Sequence, residues 1–354
     1  MARGNRLKKP YVKKSARKAE LMKSEILRIL REAGDECVSG QSLCEKFGVS
    51  RQAVWKNISQ LKDKGFEIES VSNKGYILKN EPDIINDAAI QSYLSKECLC
   101  KKIETFDTLD STNTKAKQLA EMGEAEGTLI VADEQTAGKG RRGRKWCSKK
   151  GVNVFFTLLI RPKIEPKNLS GITLLAAMSV ADAVKEVCGV KTMIKWPNDI
   201  VLEKKKICGI LTEMSSEMNY VNYAVIGIGI NINDDEIPDE IRENASSIYL
   251  ETGKKTNRNK LTAKVVEKFD GYYKRFLETK DLTAFIDEYN SMLISMNKEV
   301  KVLYGMAETA RPDEEETGIA RGIDGDGALL VETKDGIKSI VSGEVSVRGL
   351  YGYV

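Results

Sequence analysis

The sequence predicts an α+β protein with three domains, and the patterns of three successive segments support this prediction. Residues 20–80 show helical patterns followed by a hairpin, residues 84–298 mix hairpin strands with helices, and residues 299–354 contain short strands separated by Gly/Asp turns. Strands joined by hairpins are typical of an α+β fold and not of a doubly wound parallel sheet. The length of 354 residues also favours two or three domains over one.

A basic extension precedes these domains. Residues 1–19 carry eight Lys and Arg, no acidic residue and no apolar periodicity, so we expect them to be disordered. Residues 1–80 together hold 18 Lys and Arg against 9 Asp and Glu, whereas the whole chain has a net charge of only +4. This local excess favours a nucleic-acid contact, and a solubilising tail explains residues 1–19 equally well.

The segment 20–80 has the order of a winged helix-turn-helix. After a first helical pattern, a short helix ends at Gly48, and Ser50 has the position of an N-cap for a third helix over 51–64. A hairpin over 66–78 supplies the wing. The apolar residues of the third helix recur at the i, i+4, i+7 spacing of a buried stripe, and they are Val54, Ile58 and Leu61.

Side chains of the third helix and of the hairpin tip suit a contact with DNA. A cationic helix after a Gly-Val-Ser turn, together with a Lys-Gly wing tip, favours DNA binding over another kind of small helical domain. Lys74, at the tip, is expected to contact a phosphate or the minor groove. The residues expected to approach the major groove are Arg51, Gln52, Lys56 and Gln60.

A mixed pattern of strands and helices follows a predicted linker at Glu81-Pro-Asp83. The predicted strands cover residues 127–133, 152–160, 191–196, 200–203, 207–214 and 220–232. The predicted helices cover residues 113–122, 168–187, 258–278 and 282–295. We expect these helices on one side of the sheet. The short strands after residue 299 are typical of a small β-barrel.

The composition excludes several kinds of chemistry. The chain contains no histidine, which excludes Ser-His and Cys-His catalysis and histidine-bound zinc. Its seven cysteines form no C-x-x-C pair and are typical of reduced thiols in a cytoplasm. No apolar stretch approaches the roughly 20 residues of a membrane span, and the basic N-terminus lacks the apolar region of a secretory signal. We therefore expect a cytoplasmic protein without a membrane partner.

The most distinctive motif is a cationic glycine loop, Gly138-Lys-Gly-Arg-Arg-Gly-Arg-Lys-Trp146. Its G-x-G-x-x-G pattern does not predict a dinucleotide site, because a strand and not a helix follows it. It is not a P-loop either, since no Gly-Lys-Ser/Thr sequence closes it. A loop between two strands that carries five cations predicts a site where side chains hold phosphate charge.

Two further motifs are candidate parts of the same site. Asp110-Ser-Thr-Asn-Thr114 places hydroxyl and amide groups at a helix N-terminus, which fits either a ligand contact or an ordinary N-cap. In Lys195-Trp-Pro-Asn-Asp199 the proline bars a regular central strand. Asp199 is a candidate Mg²⁺ ligand, and Lys195 is a candidate to neutralise a phosphate or a carboxylate.

Three other features support these motifs. Lys206 is the last of three lysines in a turn and adjoins an apolar strand, so its side chain can reach inward, whereas the other two fit a solvated turn. Gln135 ends the strand before the glycine loop and is a candidate hydrogen-bond partner for a buried ligand. Gly227-Ile-Gly-Ile-Asn231 leaves one face of a strand bare, which accommodates a flat ligand or a closely packed helix equally well.

These residues together fit a site for an anionic nucleotide and a small carboxylic acid. Since no histidine base is present, the compatible chemistry is carboxylate activation, in which a carboxylate attacks the α-phosphate of ATP and pyrophosphate leaves. Positioning, cationic side chains and Mg²⁺ carry such a reaction, and no covalent nucleophile is needed.

The motifs occur in the order found in biotin protein ligases, and the chain resembles this family over about residues 21–354. With its winged helix it is similar to the bifunctional bacterial members, which combine a biotin operon repressor with a biotin–[acetyl-CoA-carboxylase] ligase. The resemblance implies a catalytic domain similar to class II aminoacyl-tRNA synthetases and an SH3-like C-terminal domain. It also implies that biotin and MgATP give biotinyl-5′-AMP, from which a lysine of the biotin carboxyl carrier protein of biotin-dependent carboxylases takes the biotinyl group.

The resemblance also implies roles for individual residues. Arg141, Asp199 and Lys206 would be catalytic, and residues 139–142 would close over biotin and the phosphate. Lys139 stands where the best-known members have Arg, and the loss of the bidentate fork predicts weaker retention of the adenylate. The implied biotin and adenylate contacts are Ser111, Thr112, Asn113, Gln135, Gly138, Lys139, Gly140, Arg141, Arg142, Trp146, Lys206, Gly209 and Asn231.

The implied partners, besides the carrier protein, are operator DNA and a second copy of the chain in a homodimer promoted by biotinyl-5′-AMP. Two alternatives stay open, a repressor that senses biotin without catalysis and a lipoate or octanoate ligase. The complete cationic loop, with Asp199 and Lys206, favours the enzyme because sensing alone does not require these residues.

Overall fold

The computed structural model describes residues 9–304, 315–342, 345–349 and 353–354. Its contacts divide the chain into two compact units, Met1–Leu94 and Ser95–Val354. None of the helices in the described ranges is long and apolar enough to cross a membrane.

The N-terminal unit confirms the predicted order of helices and wing. Its two strands, β1 and β2, pair in antiparallel fashion and cover Glu67–Val71 and Gly75–Asn80. Its helices, α1 to α4, cover Lys9–Ala33, Gly40–Phe47, Arg51–Asp63 and Asp87–Tyr93.

The helix-turn-helix is set by local capping. Helix α2 ends at Gly48, whose φ of 61° lies in the left-handed region that favours glycine. The Ser50 side chain accepts a hydrogen bond from the backbone N–H of Ala53, 3.3 Å away, and so caps α3. The predicted stripe of α3 is buried, because Val54, Ile58 and Leu61 are each at most 1% exposed.

The expected disorder of residues 1–19 is wrong for residues 9–19, which belong to α1. Residues 1–8 lie outside the described part of the chain. Pro10 falls in the first turn of the helix, where its missing N–H has no intrahelical partner to lose. No glycine or proline follows before Gly34, and Ala, Lys and Arg are strong helix formers.

Helix α4 packs in the N-terminal unit, although we expected the catalytic domain to begin at residue 84. Ala88 and Ala89 belong to the same hydrophobic core as Ile26 and Leu27 of α1. The Arg28 guanidinium donates to the carbonyl oxygens of Ser92 and Leu94 at 3.1 and 2.6 Å, and so caps the end of α4. The compact unit therefore extends to Leu94.

A seven-stranded mixed sheet forms the centre of the second unit, with the order β3-β4-β5-β9-β8-β7-β6. Only β3 and β4 pair in parallel. Strands β3 to β9 cover Lys102–Leu109, Thr128–Gln135, Val154–Ile160, Met193–Lys195, Asp199–Leu202, Lys205–Ser216 and Val221–Ile230. Helices α5 to α9 cover Thr112–Glu121, Leu169–Cys188, Ile248–Thr252, Arg258–Thr279 and Ile286–Met292.

The helices lie on both faces of this sheet, so the expectation of helices on one side is wrong. Ala116 and Ala120 of α5 pack with Ile130 and Val225 of the sheet. Thr212 pairs with Ile226, the neighbour of Val225, and therefore points to the opposite face. There its hydroxyl accepts a hydrogen bond from Thr173 of α6 at 2.8 Å.

The predicted helix over 282–295 is shorter than expected. A 3₁₀ turn at Thr283–Phe285 precedes α9, and the helix ends at Met292. The chain leaves the helix there because the backbone N–H of Ile294 donates to the carbonyl oxygen of Ile194 in β6, at 2.9 Å.

The C-terminal sheet has five antiparallel strands in the order β13-β12-β11-β10-β14. Strands β10 to β14 cover Glu299–Tyr304, Glu315–Ile323, Leu329–Thr333, Gly336–Ile340 and Val345–Gly349. Trp196, which follows β6, is buried and donates through Nε1 to the carbonyl oxygen of Gly327 at 3.0 Å. This bond attaches the C-terminal sheet beside the end of β6.

Candidate functional site

One cavity of about 860 Å³ in the second unit collects the predicted site residues. All the residues expected to contact biotin or the adenylate line it except Gly138. Lys195 and Asp199 line it as well, and the C-terminal sheet contributes Arg348 and Tyr353. The separate motifs of the sequence thus meet in a single site.

The paired glycines of β8 and β9 form the floor of this cavity. Gly209 lies opposite Gly229 in the antiparallel register, and the Trp146 indole covers both. A Cβ atom on either glycine would come within 2.7 Å of the indole. The bare face that the sequence predicts is therefore present, and a flat side chain from the glycine loop lies on it. Trp146 Nε1 is buried and has no hydrogen-bond partner among the described residues.

A cluster of hydroxyl and amide groups lies at the N-terminus of α5. Ser111 occupies the N-cap position but its side chain makes no capping bond, so the ordinary N-cap explanation does not apply. Gln135 Oε1 accepts from the backbone N–H of Thr112 at 2.8 Å. Thr157 Oγ1 donates to Asn113 Oδ1 at 2.6 Å. Because Ser111, Thr112 and Asn113 are each less than 5% exposed, these groups are preorganised in a dry environment.

The cationic loop closes on itself beside the cavity. The backbone N–H of Trp146 donates to the carbonyl oxygen of Gly138 at 3.0 Å, and that of Gly140 donates to Arg144 at 2.7 Å. The Arg141 guanidinium donates to Asn198 Oδ1 at 2.9 Å and is half-buried. Burial lowers the pKa of Arg141, and the negative charge of Asp199 opposes this shift. The loop thus directs a fixed cation at the cavity.

Asp199 and Lys206 form a buried ion pair at the other end of the cavity. Lys206 Nζ lies 2.6 Å from Asp199 Oδ1, and their side chains are 25% and 14% exposed. Burial alone would raise the pKa of the Asp199 carboxyl, but Lys206, the Tyr353 hydroxyl and Lys195 together hold it below its usual range. Lys206 Nζ also lies 5.2 Å from the centre of the Trp146 ring. The carboxylate therefore holds the ammonium group beside the floor of the cavity.

Tyr353 joins this pair from the C-terminal side. Its hydroxyl donates to Asp199 Oδ2 at 2.5 Å, and Lys195 Nζ lies 3.6 Å from the centre of its ring. Burial and the negative charge of Asp199 raise the pKa of Tyr353, so the hydroxyl keeps its proton and acts as donor. Burial lowers the pKa of Lys195 to about 8, although Asp199 opposes this shift.

Asn231 lines the cavity but its amide is engaged in the fold. Asn231 Nδ2 donates to the carbonyl oxygen of Ser246 at 3.0 Å, and its backbone N–H donates to Ile207 at 2.8 Å. These bonds fix the segment before α7 beside β8.

The side chains present do not make a protein-held magnesium site. Both oxygens of Asp199 are engaged, one by Lys206 and one by Tyr353. In the described ranges no group of three or more acidic, cysteine or histidine side chains could hold a metal ion. Mg²⁺ that arrives with a nucleotide is held mainly by the phosphates and does not require a dedicated protein site.

Sequence reasoning missed the contributions of Tyr353, Asn198 and Thr157. Thr157 lies in an apolar strand and Tyr353 in a segment without a recognisable motif. Asn198 belongs to the Lys195–Asp199 motif, so its polar side chain at a strand break was a usable signal.

In the N-terminal unit, the predicted DNA-contacting side chains lie mostly in solvent. Arg51, Gln52 and Lys56 of α3 are exposed, and Lys74 is exposed at the tip of the wing. Gln60 is only half-exposed. Trp55 is 60% exposed on the same helix. An exposed aromatic side chain among cations is typical of a surface that contacts nucleic acid.

Comparisons with known proteins assign the class of this site. Residues 105–231 match the Biotin/lipoate A/B protein ligase family, residues 296–348 match the Biotin protein ligase C terminal domain, and residues 23–77 match an HTH domain. The biotin protein ligase from Aquifex aeolicus, solved in complex with biotin and ATP, is 34% identical with a TM-score of 0.60, and the match covers 70% of this chain and 99% of that chain. The fold and the site thus define a protein ligase of the biotin/lipoate class.

Two curated relatives extend the match to nearly the whole chain. The bifunctional ligase/repressor BirA of Bacillus subtilis is 37% identical over 330 residues, which are 92% of this chain and 98% of the relative. BirA of Escherichia coli is 32% identical over 317 residues, which are 89% of this chain and 94% of the relative. This chain belongs to the bifunctional ligase/repressor BirA family.

Proposed function

We propose that this protein activates biotin with ATP to form biotinyl-5′-AMP and transfers the biotinyl group to a lysine of a biotin carboxyl carrier protein. The observation that carries this proposal is one cavity with two chemically different ends. At one end lie the uncharged polar groups at the start of α5, and at the other lie Arg141, Lys195 and Lys206. A molecule with a polar uncharged ring system and a carboxylate matches both ends.

The polar end would hold the ureido group of biotin. Ser111, Thr112 and Asn113 lie at a helix N-terminus, and Gln135 and Thr157 fix their orientation. Burial makes each correct hydrogen bond worth more there and makes a mismatched ligand costly. Lipoate has no ureido group to match these polar groups, so we assign biotin as the preferred substrate.

The cationic end would carry the adenylation. Lys206 would contact the biotin carboxylate, whose oxygen attacks the α-phosphorus of ATP while the bond to the β-phosphate breaks and pyrophosphate leaves. Arg141, with Lys139, Gly140 and Arg142 of the loop, would neutralise the phosphate charge that builds up. Trp146 Nε1 is a buried donor that a ligand oxygen can satisfy. Trp146 and Asn231 would frame the adenylate, and Gly209 would admit it close to the sheet.

Transfer completes the cycle without a covalent enzyme intermediate. The amine of the carrier lysine would attack the acyl carbon of biotinyl-5′-AMP, the bond to the phosphate oxygen would break, and AMP would leave. The loop over residues 139–142 would protect the mixed anhydride from water until then.

Biotin-dependent exchange of pyrophosphate into ATP tests the first step, and mass spectrometry of a carrier domain incubated with biotin and MgATP tests the second. The ligase proposal predicts exchange and a carrier mass increased by one biotinyl group. Biotin binding without exchange would instead identify a sensing repressor without catalysis. Equal labelling with lipoate and biotin would favour a lipoate or octanoate ligase.

The N-terminal unit would bind operator DNA through α3 and the wing. Arg51, Gln52, Lys56 and Gln60 would reach the major groove and Lys74 a phosphate or the minor groove. A single winged helix reads only a half-site, so repression would require a homodimer promoted by biotinyl-5′-AMP. Tight operator binding by a ligand-free monomer would contradict this.

The proposed division of labour follows the predicted domains. Residues 20–80 would bind DNA, residues 95–298 would carry the ligase chemistry and residues 299–354 would form the SH3-like domain. Use of ATP and seven free cysteines are consistent with the cytoplasm as the place of action.

A further inference from the structure

The cavity has a wall that the ligase domain does not supply. Arg348 and Gly349 of β14, together with Tyr353, line it beside Asp199. Tyr353 contacts two charged residues of the site, since its hydroxyl donates to Asp199 and its ring lies beside Lys195. Tyr353, which follows the last strand of the C-terminal sheet, therefore contacts the charged pair at the reacting end.

Val354, the neighbour of Tyr353, makes a second contact with the C-terminal sheet. A Cβ atom on Gly349 would collide with the carbonyl of Val354, so the end of the chain lies directly against the backbone of β14. Glycine at this position permits the approach. The neighbour of Tyr353 in the sequence is therefore held against β14, while the Tyr353 hydroxyl contacts Asp199.

We propose that Tyr353 is a positioning residue of the ligase site, where its hydroxyl fixes the Asp199 carboxylate and thereby the direction of the Lys206 ammonium group. This role rests on the proposed adenylation. A carboxylate with a single partner can rotate about its side-chain bonds. Asp199 is held from both sides, by Lys206 on Oδ1 and by Tyr353 on Oδ2, so its orientation is determined.

As a consequence, the Lys206 ammonium group is held in its orientation before the substrate binds. Lys206 lies between Asp199 and the indole of Trp146, at the edge of the glycine floor. Loss of the Tyr353 hydroxyl would leave the ion pair formed but free to move. Misplacement of a charged group by a fraction of an ångström lowers the rate of a reaction that depends on positioning.

The test is Tyr353→Phe in the full-length protein, which keeps the ring beside Lys195 and removes only the hydroxyl. We expect the turnover rate of biotin-dependent ATP–pyrophosphate exchange to fall roughly tenfold, as for a lost hydrogen bond to a charged group. Tyr304→Phe is the matched control, because the Tyr304 hydroxyl donates to Glu316 at 3.1 Å in the same C-terminal sheet but does not line the cavity. It should retain the parent rate.

A double-mutant cycle distinguishes positioning from a general structural role. Asp199→Ala alone should lower the exchange rate, and adding Tyr353→Phe should cause no further loss, because the hydroxyl acts through Asp199. Losses that multiply in the double variant would overturn the proposal. If thermal unfolding shows that Asp199→Ala does not fold, the comparison of Tyr353→Phe with Tyr304→Phe remains the test.

The same exchange assay tests the role of Tyr353 and the ligase function separately. An unchanged exchange rate in Tyr353→Phe, with normal exchange in the parent protein, overturns the role of Tyr353 alone. Absence of exchange in the parent protein overturns the ligase function and this role with it.

Discussion

At the scale of single residues, the chemistry at the reacting end of the cavity depends on a few charged side chains and on the groups that pair with them. Asp199 is the acidic partner of Lys206, and Tyr353 satisfies its second oxygen. Removing one partner of such a pair is more harmful than removing both, since the remaining charge stays buried. The pair therefore offers sharp tests by single substitutions.

Lys206→Ala should lower the rate of biotin-dependent pyrophosphate exchange by about 10²–10³-fold, the effect of losing one donor that stabilises a transition state. The substitution also leaves the Asp199 carboxylate without its cation. Lys205→Ala is the control, because Lys205 is the neighbouring residue of β8 and does not line the cavity. An exchange rate unchanged by Lys206→Ala would remove this lysine from the reacting end.

Loss of the Lys195 charge at alkaline pH should lower the rate of the exchange reaction. Its pKa is lowered to about 8 by burial, so the side chain is charged below pH 8 and loses its charge as the pH rises through this value. The attraction for anionic substrates then weakens, and kcat/KM for ATP should fall. Lys195→Arg should move the fall to higher pH, because arginine keeps its charge. A profile measured from pH 6 to 10 that is identical in both proteins would contradict this.

At the scale of secondary-structure elements, α3 and the wing are expected to contact different parts of the DNA. We expect α3 to contact bases in the major groove and the wing to contact a phosphate or the minor groove. Arg51 is exposed near the start of α3, and its guanidinium donates to Gln41 Oε1 of α2 at 3.1 Å. That bond orients the side chain away from the core. Lys74 lies at the wing tip, where a phosphate contact needs no such orientation.

Arg51→Ala should weaken operator binding by about 1–3 kcal/mol and relax the preference for one base pair. Lys74→Ala should instead weaken operator and unrelated DNA alike and reduce the salt dependence by about one phosphate contact. Binding titrations at several salt concentrations with both DNAs distinguish the two effects. The same pattern for both variants would contradict the assignment of separate roles.

Helix α8 is attached to the sheet by an ion pair whose arginine is fully buried and whose carboxylate is largely buried. Arg258, at the start of α8, is 1% exposed and lies 2.5 Å from Asp133 of β4. Its guanidinium also donates to the carbonyl oxygen of Asn153 at 2.9 Å. Because β4 leads directly into the glycine loop, this pair supports the strand that positions the loop.

Arg258→Ala should lower the free energy of unfolding by about 3–5 kcal/mol, because it leaves the Asp133 carboxylate buried and unpaired. Lys264→Ala should cost at most about 1 kcal/mol, since its pairs with Glu186 of α6 and with Glu267 of α8 are partly exposed. Denaturant unfolding of both variants measures the difference. Equal losses would mean that burial of the Arg258 pair does not set its contribution.

Local signals predicted most of the elements. The caps at Gly48 and Ser50 and the apolar stripe of α3 depend on neighbouring residues, and the structure confirms them. Helices α4 and α7 were missed because they are short, and strand β3 was missed because its sequence has no strong periodicity. The start of α1 was misjudged, since composition suggested disorder where helix propensity is high.

At the scale of the whole molecule, the site was predictable where its parts are motifs and unpredictable where they are distant contacts. Asp199 and Lys206 lie in recognisable segments of one hairpin. The bond between Tyr353 and Asp199 joins residues 154 positions apart, and nothing near Tyr353 in the sequence indicates it. Such a contact follows only from the way the C-terminal sheet attaches, through bonds such as Trp196 to Gly327.

The three tryptophans of the chain lie in different environments and can serve as intrinsic fluorescence probes. Trp55 is exposed on α3, Trp146 covers the glycine floor beside Lys206, and Trp196 is buried against the C-terminal sheet. Variants that retain one tryptophan each would therefore report separately, by emission wavelength and quenching, on DNA contact, on movement of the cationic loop and on attachment of the C-terminal sheet. An adenylate that enters the cavity should change the emission of Trp146, which lines it, and leave that of Trp55, which does not, unaltered.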